Sequence, residues 1–124
     1  MIALDTSSMI AFLSGKRGND AEAVGVAFRL HQAVFPPVVV TELLSDPTLQ
    51  ERVAFLIRSV PALEIRAGYW ERAGKLRAKL LGRGLRARLA DTLIAQSCLD
   101  HDVPLVTRDG DFRHFARHAG LRLQ

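Results

Sequence analysis

Short apolar runs at residues 1–4, 34–40, 63–65, 104–107 and 121–123 alternate with stretches of helical periodicity, and this alternation most limits what the chain can fold into. Strands that take turns with helices build an α/β layer structure in which a mainly parallel sheet is covered by helices. Between the runs, helices are predicted over 9–13, 20–33, from Pro47 through Val53, Leu56 and Ile57, and over 69–81, 89–99 and 112–118. Asp5-Thr6-Ser7-Ser8 supplies N-cap chemistry for the first of these. Thr41-Glu42-Leu43-Leu44 is expected to turn helical directly after the second strand. The length of 124 residues suits a single domain spanning 1–124, and no repeat or linker breaks it.

Composition closes several other routes. Apolar residues make up 48% and charged residues 24%, which places the chain among ordinary globular proteins rather than disordered ones. No apolar run reaches the roughly 20 residues that span a bilayer, and the N-terminus lacks the basic flank and cleavage site expected of a secretory signal. Cys98 is the only cysteine, so neither an internal disulfide nor a four-cysteine zinc site can form. A cytoplasmic protein is the simplest expectation.

Charge is distributed unevenly. Residues 66–88 carry eight cations against Glu71 alone, whereas the rest of the chain is net −3. Fourteen of the seventeen cations are Arg, the side chain best suited to grip phosphate with two bonds. Arg72, Lys75, Arg77, Lys79, Arg86 and Arg88 are therefore candidate contacts to a polyanionic partner. A solvated helix face explains the same pattern equally well.

The acidic residues carry the chemical argument. Asp5 ends the first apolar run, Glu42 follows the second, and Asp109 and Asp111 follow Leu105-Val106-Thr107-Arg108. Asp91 shares a helix stripe with Ile94, Ala95 and Cys98. An ionised carboxylate on such a stripe needs a cation, a hydrogen-bond donor or a wet cleft. In an open parallel sheet, ligands bind beyond the carboxyl ends of the strands. Carboxylates converging there repel one another, and a hard divalent cation, Mg²⁺ or Mn²⁺, is the usual compensation. Each acid taken alone has a plainer reading: Asp5 as an N-cap, Glu42 as a first-turn residue, Asp91 paired with Arg88.

Other site chemistries fit less well. Asp5-Thr6-Ser7 lacks the second carboxylate of an Asp-x-Asp phosphotransfer loop, and Glu64 is a poor stand-in for the phosphorylatable Asp of a receiver domain. Gly82-Arg83-Gly84 follows a helix rather than a strand, so it is not a phosphate loop. His114 and His118 lack the Glu of a zinc-binding His-Glu-x-x-His helix. Cys98 and Trp70 read as core or partner contacts.

Met1-Ile2-Ala3-Leu4-Asp5-Thr6-Ser7, Val40-Thr41-Glu42-Leu43, Ala90-Asp91-Thr92-Leu93-Ile94-Ala95 and Leu105-Val106-Thr107-Arg108-Asp109-Gly110-Asp111-Phe112 resemble the four acidic motifs of PIN domains. Their order and spacing are similar to those of VapC-type toxins from bacterial toxin–antitoxin pairs. The resemblance implies a PIN-like fold with a central, mainly parallel five-stranded sheet flanked by helices. It implies a divalent-metal endoribonuclease with Asp5, Glu42, Asp91 and Asp109 as catalytic and metal-binding acids, and Asp111 as a fourth or fifth carboxylate. Thr6 and Thr107 match hydroxyl positions that support those acids, although backbone capping explains them equally well. Water activated by Mg²⁺ or Mn²⁺ would attack in line and leave a 5′-phosphate and a 3′-hydroxyl. The implied partners are RNA, a VapB-like antitoxin and a second copy of the chain. A PIN nuclease that is not a toxin, or a degenerate RNA-binding module, is the alternative.

Overall fold

The computed structural model describes residues 1–124. Its centre is a parallel ladder in the order β2-β1-β3, formed by β1 (Ile2–Leu4), β2 (Ala33–Val34) and β3 (Leu105–Val106). Ile2 and Ala3 of β1 pair with Ala33 and Val34, while Ala3 and Leu4 pair with Leu105 and Val106. Ala3, Leu4, Leu105 and Val106 are wholly buried, as the middle of a sheet covered on both faces requires.

The expected five-stranded sheet is reduced to this three-stranded ladder. Each flank is extended by a single parallel bridge, Phe35 to Ala62 and Leu105 to Leu123. Two bonds hold each of these edges, for example Phe35 N–H to Pro61 O and Leu63 N–H to Phe35 O, both 2.9 Å. Glu64 and Ile65 lie exposed beyond the bridge.

Helices α1 (Thr6–Leu13), α2 (Asn19–Arg29), α3 (Pro37–Leu44), α4 (Glu51–Ser59), α5 (Tyr69–Gly82), α6 (Leu89–His101) and α7 (Arg113–Ala119) surround the sheet. The largest correction falls on the second apolar run. Val38-Val39-Val40 is not strand but the first turns of α3, and β2 ends at Val34. Pro37 decides this, since it stands at the first helical position, where its fixed φ and missing N–H are tolerated. Glu42 therefore points from a helix instead of following a strand end. Helix α2 stops at Arg29 rather than at residue 33, because His31 turns left-handed at φ 54°. Helix α4 starts at Glu51, because Asp46 Oδ1 accepts from both the amide and the hydroxyl of Thr48 and closes a turn after Pro47.

One apolar cluster joins sheet and helices, with Phe35, Met9, Val24, Ile57, Leu80, Ile94, Phe112 and Phe115 essentially without solvent contact. Cys98 lies in it, and burial, then the Asp5 charge, pushes its thiol up to about 12. The cysteine is core, as its place on the α6 stripe indicated. Trp70 is 60% exposed, and its ring stands nearly perpendicular to that of Tyr69 at 4.9 Å between centroids. No helix is long and apolar enough to cross a membrane.

Candidate metal centre

The ladder places two acids at once. The Asp5 N–H donates to Val106 O at 2.9 Å, which carries the β1–β3 pairing one step past Leu4 and sets Asp5 beside the chain leaving β3. Asp5 is only 4% exposed and stands at the N-cap of α1, yet its side chain makes no capping bond. Ser7 Oγ and Thr107 Oγ1 instead both donate to its Oδ2, at 2.6 and 2.8 Å, and no protein group donates to Oδ1. Thr107 Oγ1 also accepts from the Asp109 N–H at 3.0 Å, so one hydroxyl links the acids that end β1 and β3.

Beyond Thr107 the chain makes a tight 3-10 turn over Gly110–Phe112. Asp109 Oδ1 accepts from the Asp111 N–H at 2.9 Å and fixes that turn. Helix α6 delivers Asp91 from its first turn, and α3 packs against α6. Oxygens of Asp91, Asp109 and Asp111 all lie within 4.8 Å of one another. Glu42 is exposed at the margin, its Oε1 accepting from Thr6 Oγ1 at 2.7 Å.

Asp91 bears the electrostatic cost of this arrangement. Burial first, then the charges of Asp109, Asp5 and Glu42, push its carboxyl up to about 6, against the opposing pull of Arg88. Its Oδ2 is buried and has no hydrogen-bond partner. A buried orphan acceptor inside a cluster of like charge is what a bound cation would satisfy. The donors are all oxygens, the set preferred by Mg²⁺ and Mn²⁺ over softer metals.

Ser7, Asp20 and Arg108 also belong to this architecture, and the sequence reading did not single them out. Arg108 Nε and Nη2 donate to the two oxygens of Asp20, each at 2.9 Å, and Nη2 also reaches Arg17 O. Ser8 Oγ donates to Asp20 as well, and the Arg108 N–H donates to Ser7 Oγ at 3.2 Å. The Arg108 guanidinium is the main cause that holds the Asp20 carboxyl down at about 2. Gly18 leaves room for the clamp, since a Cβ there would meet Arg108 Nη2 at 2.8 Å and Asp20 Oδ1 at 2.7 Å. The pair ties the start of α2 to the turn that carries Asp109. Asp20→Asn is expected to weaken divalent-ion affinity by about 10- to 100-fold, as loss of a supporting contact does in metal sites. Titration calorimetry with Mn²⁺ checks this. Affinity unchanged within twofold would show that the turn holds without the clamp.

The sequence-proposed basic residues are dispersed. Arg72 donates Nε and Nη2 to the two oxygens of Asp100, at 3.0 and 2.6 Å, and Nη1 to Ala67 O. Arg77 Nε donates to Ala87 O, and Lys79 Nζ to His118 O. Arg86 Nη1 lies 3.6 Å from Asp111 Oδ2 and so borders the acids directly. Lys75 is exposed, and Arg88 forms the N-cap of α6, where its carbonyl accepts from Thr92 Oγ1.

The PIN domain family model matches residues 2–118. The chain belongs to the PIN-domain family. Its fold agrees with that reading, being a parallel sheet flanked by helices with acids at the sheet's carboxyl edge. Among solved structures, it is similar to that of VapBC2 from Rickettsia felis bound to a DNA fragment from their promoter, with a TM-score of 0.72 at 21% identity, covering 100% of this chain and 98% of the other. The VapBC-1 structure from nontypeable Haemophilus influenzae gives 0.69 at 22%, over 100% and 97% of the two chains. A toxin–antitoxin complex from Klebsiella pneumoniae gives 0.70 at 19%, over 98% and 95%. At these identities the likeness concerns the shared PIN fold. No curated protein matches this PIN domain in sequence.

Proposed function

We propose that this PIN domain is a divalent-metal-dependent endoribonuclease acting as the toxin of a toxin–antitoxin pair. The observation that carries the nuclease reading is the orphaned, buried Asp91 Oδ2 within a cluster shared with Asp109 and Asp111. Asp91, Asp109 and Asp111 would hold the ion, with Asp5 beside them and Glu42 at the margin. When bound, Mg²⁺ or Mn²⁺ supplies a water of lowered pKa and a counter-charge for the phosphate. The protein's own part is positioning. Ser7 and Thr107 fix the Asp5 carboxylate by bonding one of its oxygens. Thr6 holds Glu42, and the Asp109 turn keeps its own carboxylate aimed by bonding Asp111 N–H. Water forms the new P–O bond and O3′ departs with a proton, leaving 5′-phosphate and 3′-hydroxyl ends. No side chain forms a covalent intermediate.

The toxin reading draws on a second feature. A groove of about 290 Å³ runs beside the site, lined by Ile10, Leu13, Leu43, Leu49 and Val53, with Glu42 at its rim. Ile10 is 50% and Leu13 37% exposed, which leaves apolar surface uncovered next to a carboxylate. That combination suits an amphipathic antitoxin segment with a cation near its end. Such a cation would compete with the metal for the same acids. The three structural neighbours, described as VapBC or toxin–antitoxin complexes, agree with such a partner. A second copy of the chain completes the proposed assembly.

Incubation with total RNA and mapping of new 5′ ends tests the activity. Cleavage is expected with Mg²⁺ or Mn²⁺ and should vanish in EDTA. Full cleavage in chelator would exclude the metal mechanism. For the toxin reading, expression alone should arrest growth, and co-expression of the neighbouring small reading frame should restore it.

A further inference from the structure

Where α5 and α7 pack together, cations gather around His118, and no carboxylate acts on it. Lys79 and Arg83 belong to the C-terminal end of α5, and Arg113 and Arg117 stand one turn apart on α7. None of the four takes part in any of the five ion pairs of the protein. Beside Lys79, Arg83 and Arg117 sits His118, whose carbonyl accepts from Lys79 Nζ and whose ring Nδ1 lies against Arg83 Nη1, both at 2.7 Å. Because a guanidinium can only donate, Nδ1 is the acceptor and the ring is neutral there. Burial, then the charges of Arg83, Arg117, Lys79 and His114, hold its proton affinity below the usual imidazole range. Every charged or titratable group acting on His118 is thus a cation or another imidazole.

The seam leads to the acids. Arg113 Nε donates to Gly110 O at 3.1 Å, inside the turn between Asp109 and Asp111, and Arg86 borders Asp111. The other end of α5 differs, since Arg72 is consumed by Asp100. Cations held together without counter-charge repel one another, and an anion laid across them relieves that repulsion. Three of the four are Arg, which suits phosphate. Helix α7 exposes no large apolar side chain of the kind that anchors a protein partner, and the α5 side of the seam offers only Leu81, 48% exposed.

We infer that the α5–α7 seam, formed by Lys79, Arg83 and Arg117 around His118 and continued toward the acids by Arg113, grips the phosphodiester backbone of single-stranded RNA to one side of the scissile phosphate. The inference rests on the nuclease reading and names the path of its substrate. The test is binding of a fluorescent single-stranded RNA oligonucleotide in EDTA, where no cleavage occurs, across a salt series. Removing two phosphate contacts with Arg83→Gln/Arg117→Gln should reduce the slope of log affinity against log salt by about 1.4, and Lys79→Gln alone by about 0.7. Arg29→Gln/Arg52→Gln, on α2 and α4, should leave the slope unchanged. Equal slopes in all variants would overturn the grip, whatever becomes of cleavage. So would seam variants that lose binding of polyglutamate yet keep the RNA slope, a result that marks the seam as a surface for an acidic protein. If the wild-type protein neither binds nor cleaves RNA, the nuclease reading itself fails. If it cleaves in Mg²⁺ but shows no salt-dependent binding, only the grip fails.

Discussion

Asp91→Asn is expected to lower metal-dependent RNA cleavage by about 10³-fold while making the metal-free protein more stable at pH 7. The activity loss follows from removing one charged ligand of an ion that supplies several kcal/mol to the transition state. About 4 kcal/mol corresponds to that factor. The stability gain follows from the elevated carboxyl of Asp91, raised from 3.8 to about 6 by burial and by the neighbouring acids. A carboxyl whose proton is held more tightly in the folded state stabilises the fold below its unfolded pKa, and that contribution is lost as pH rises through the folded one. In EDTA, wild-type stability should therefore fall between about pH 4 and pH 6. The displacement is worth at most about 3 kcal/mol, and solvent screening at this partly buried side chain reduces it to about 1–2 kcal/mol. The Asn variant should lack this loss and overtake the wild type near neutrality. Urea denaturation in EDTA from pH 4 to 7 measures it, and parallel curves for the two proteins would contradict the electrostatic account. Asp20 has the opposite sign: its contribution is present above 3.8 and is lost as pH falls toward about 2.

Phe112→Ala should cost about 3–5 kcal/mol of folding stability, the range for emptying a buried aromatic site. Its ring has no solvent contact and lies 5.8 Å, centroid to centroid, from that of Phe115. The residue directly follows Asp111 in the turn whose Asp109–Asp111 bond aims the acids. Loss of the ring is thus expected to weaken Mn²⁺ binding along with stability, although Phe112 is apolar. Phe112→Leu fills most of the space and should recover most of both. A loss below 1 kcal/mol in the Ala variant would mean that the turn is held without the ring.

Local pattern and long-range contact divide what could be read from the sequence. Asp5, Asp91 and Asp109 were legible because each interrupts or follows an apolar pattern, and topology then gathers such positions at one sheet edge. Val38-Val39-Val40 misled because β-branched residues favour strands locally, whereas α3 buries Val39 against the core from a helix begun by Pro37. The Asp20–Arg108 clamp joins residues 88 positions apart, and nothing near either one announces the other. Charge counting met the same limit. It ranked Arg72 with the free cations because Asp100 lies 28 residues away, and it gave no sign that α5 and α7 meet.

The ladder also imposes a schedule on the newly made chain. Strand β1 is synthesised first, yet one of its two neighbours is β3, whose partner residues lie about a hundred positions later. Asp5 can find Thr107, and Asp91 can find Asp109 and Asp111, only after residue 111 has been made. At about 5–20 residues per second, the growing polypeptide spends several seconds with its acids scattered. A ribosome that has not yet reached residue 111 therefore carries no assembled centre beside the RNAs it is reading and being fed.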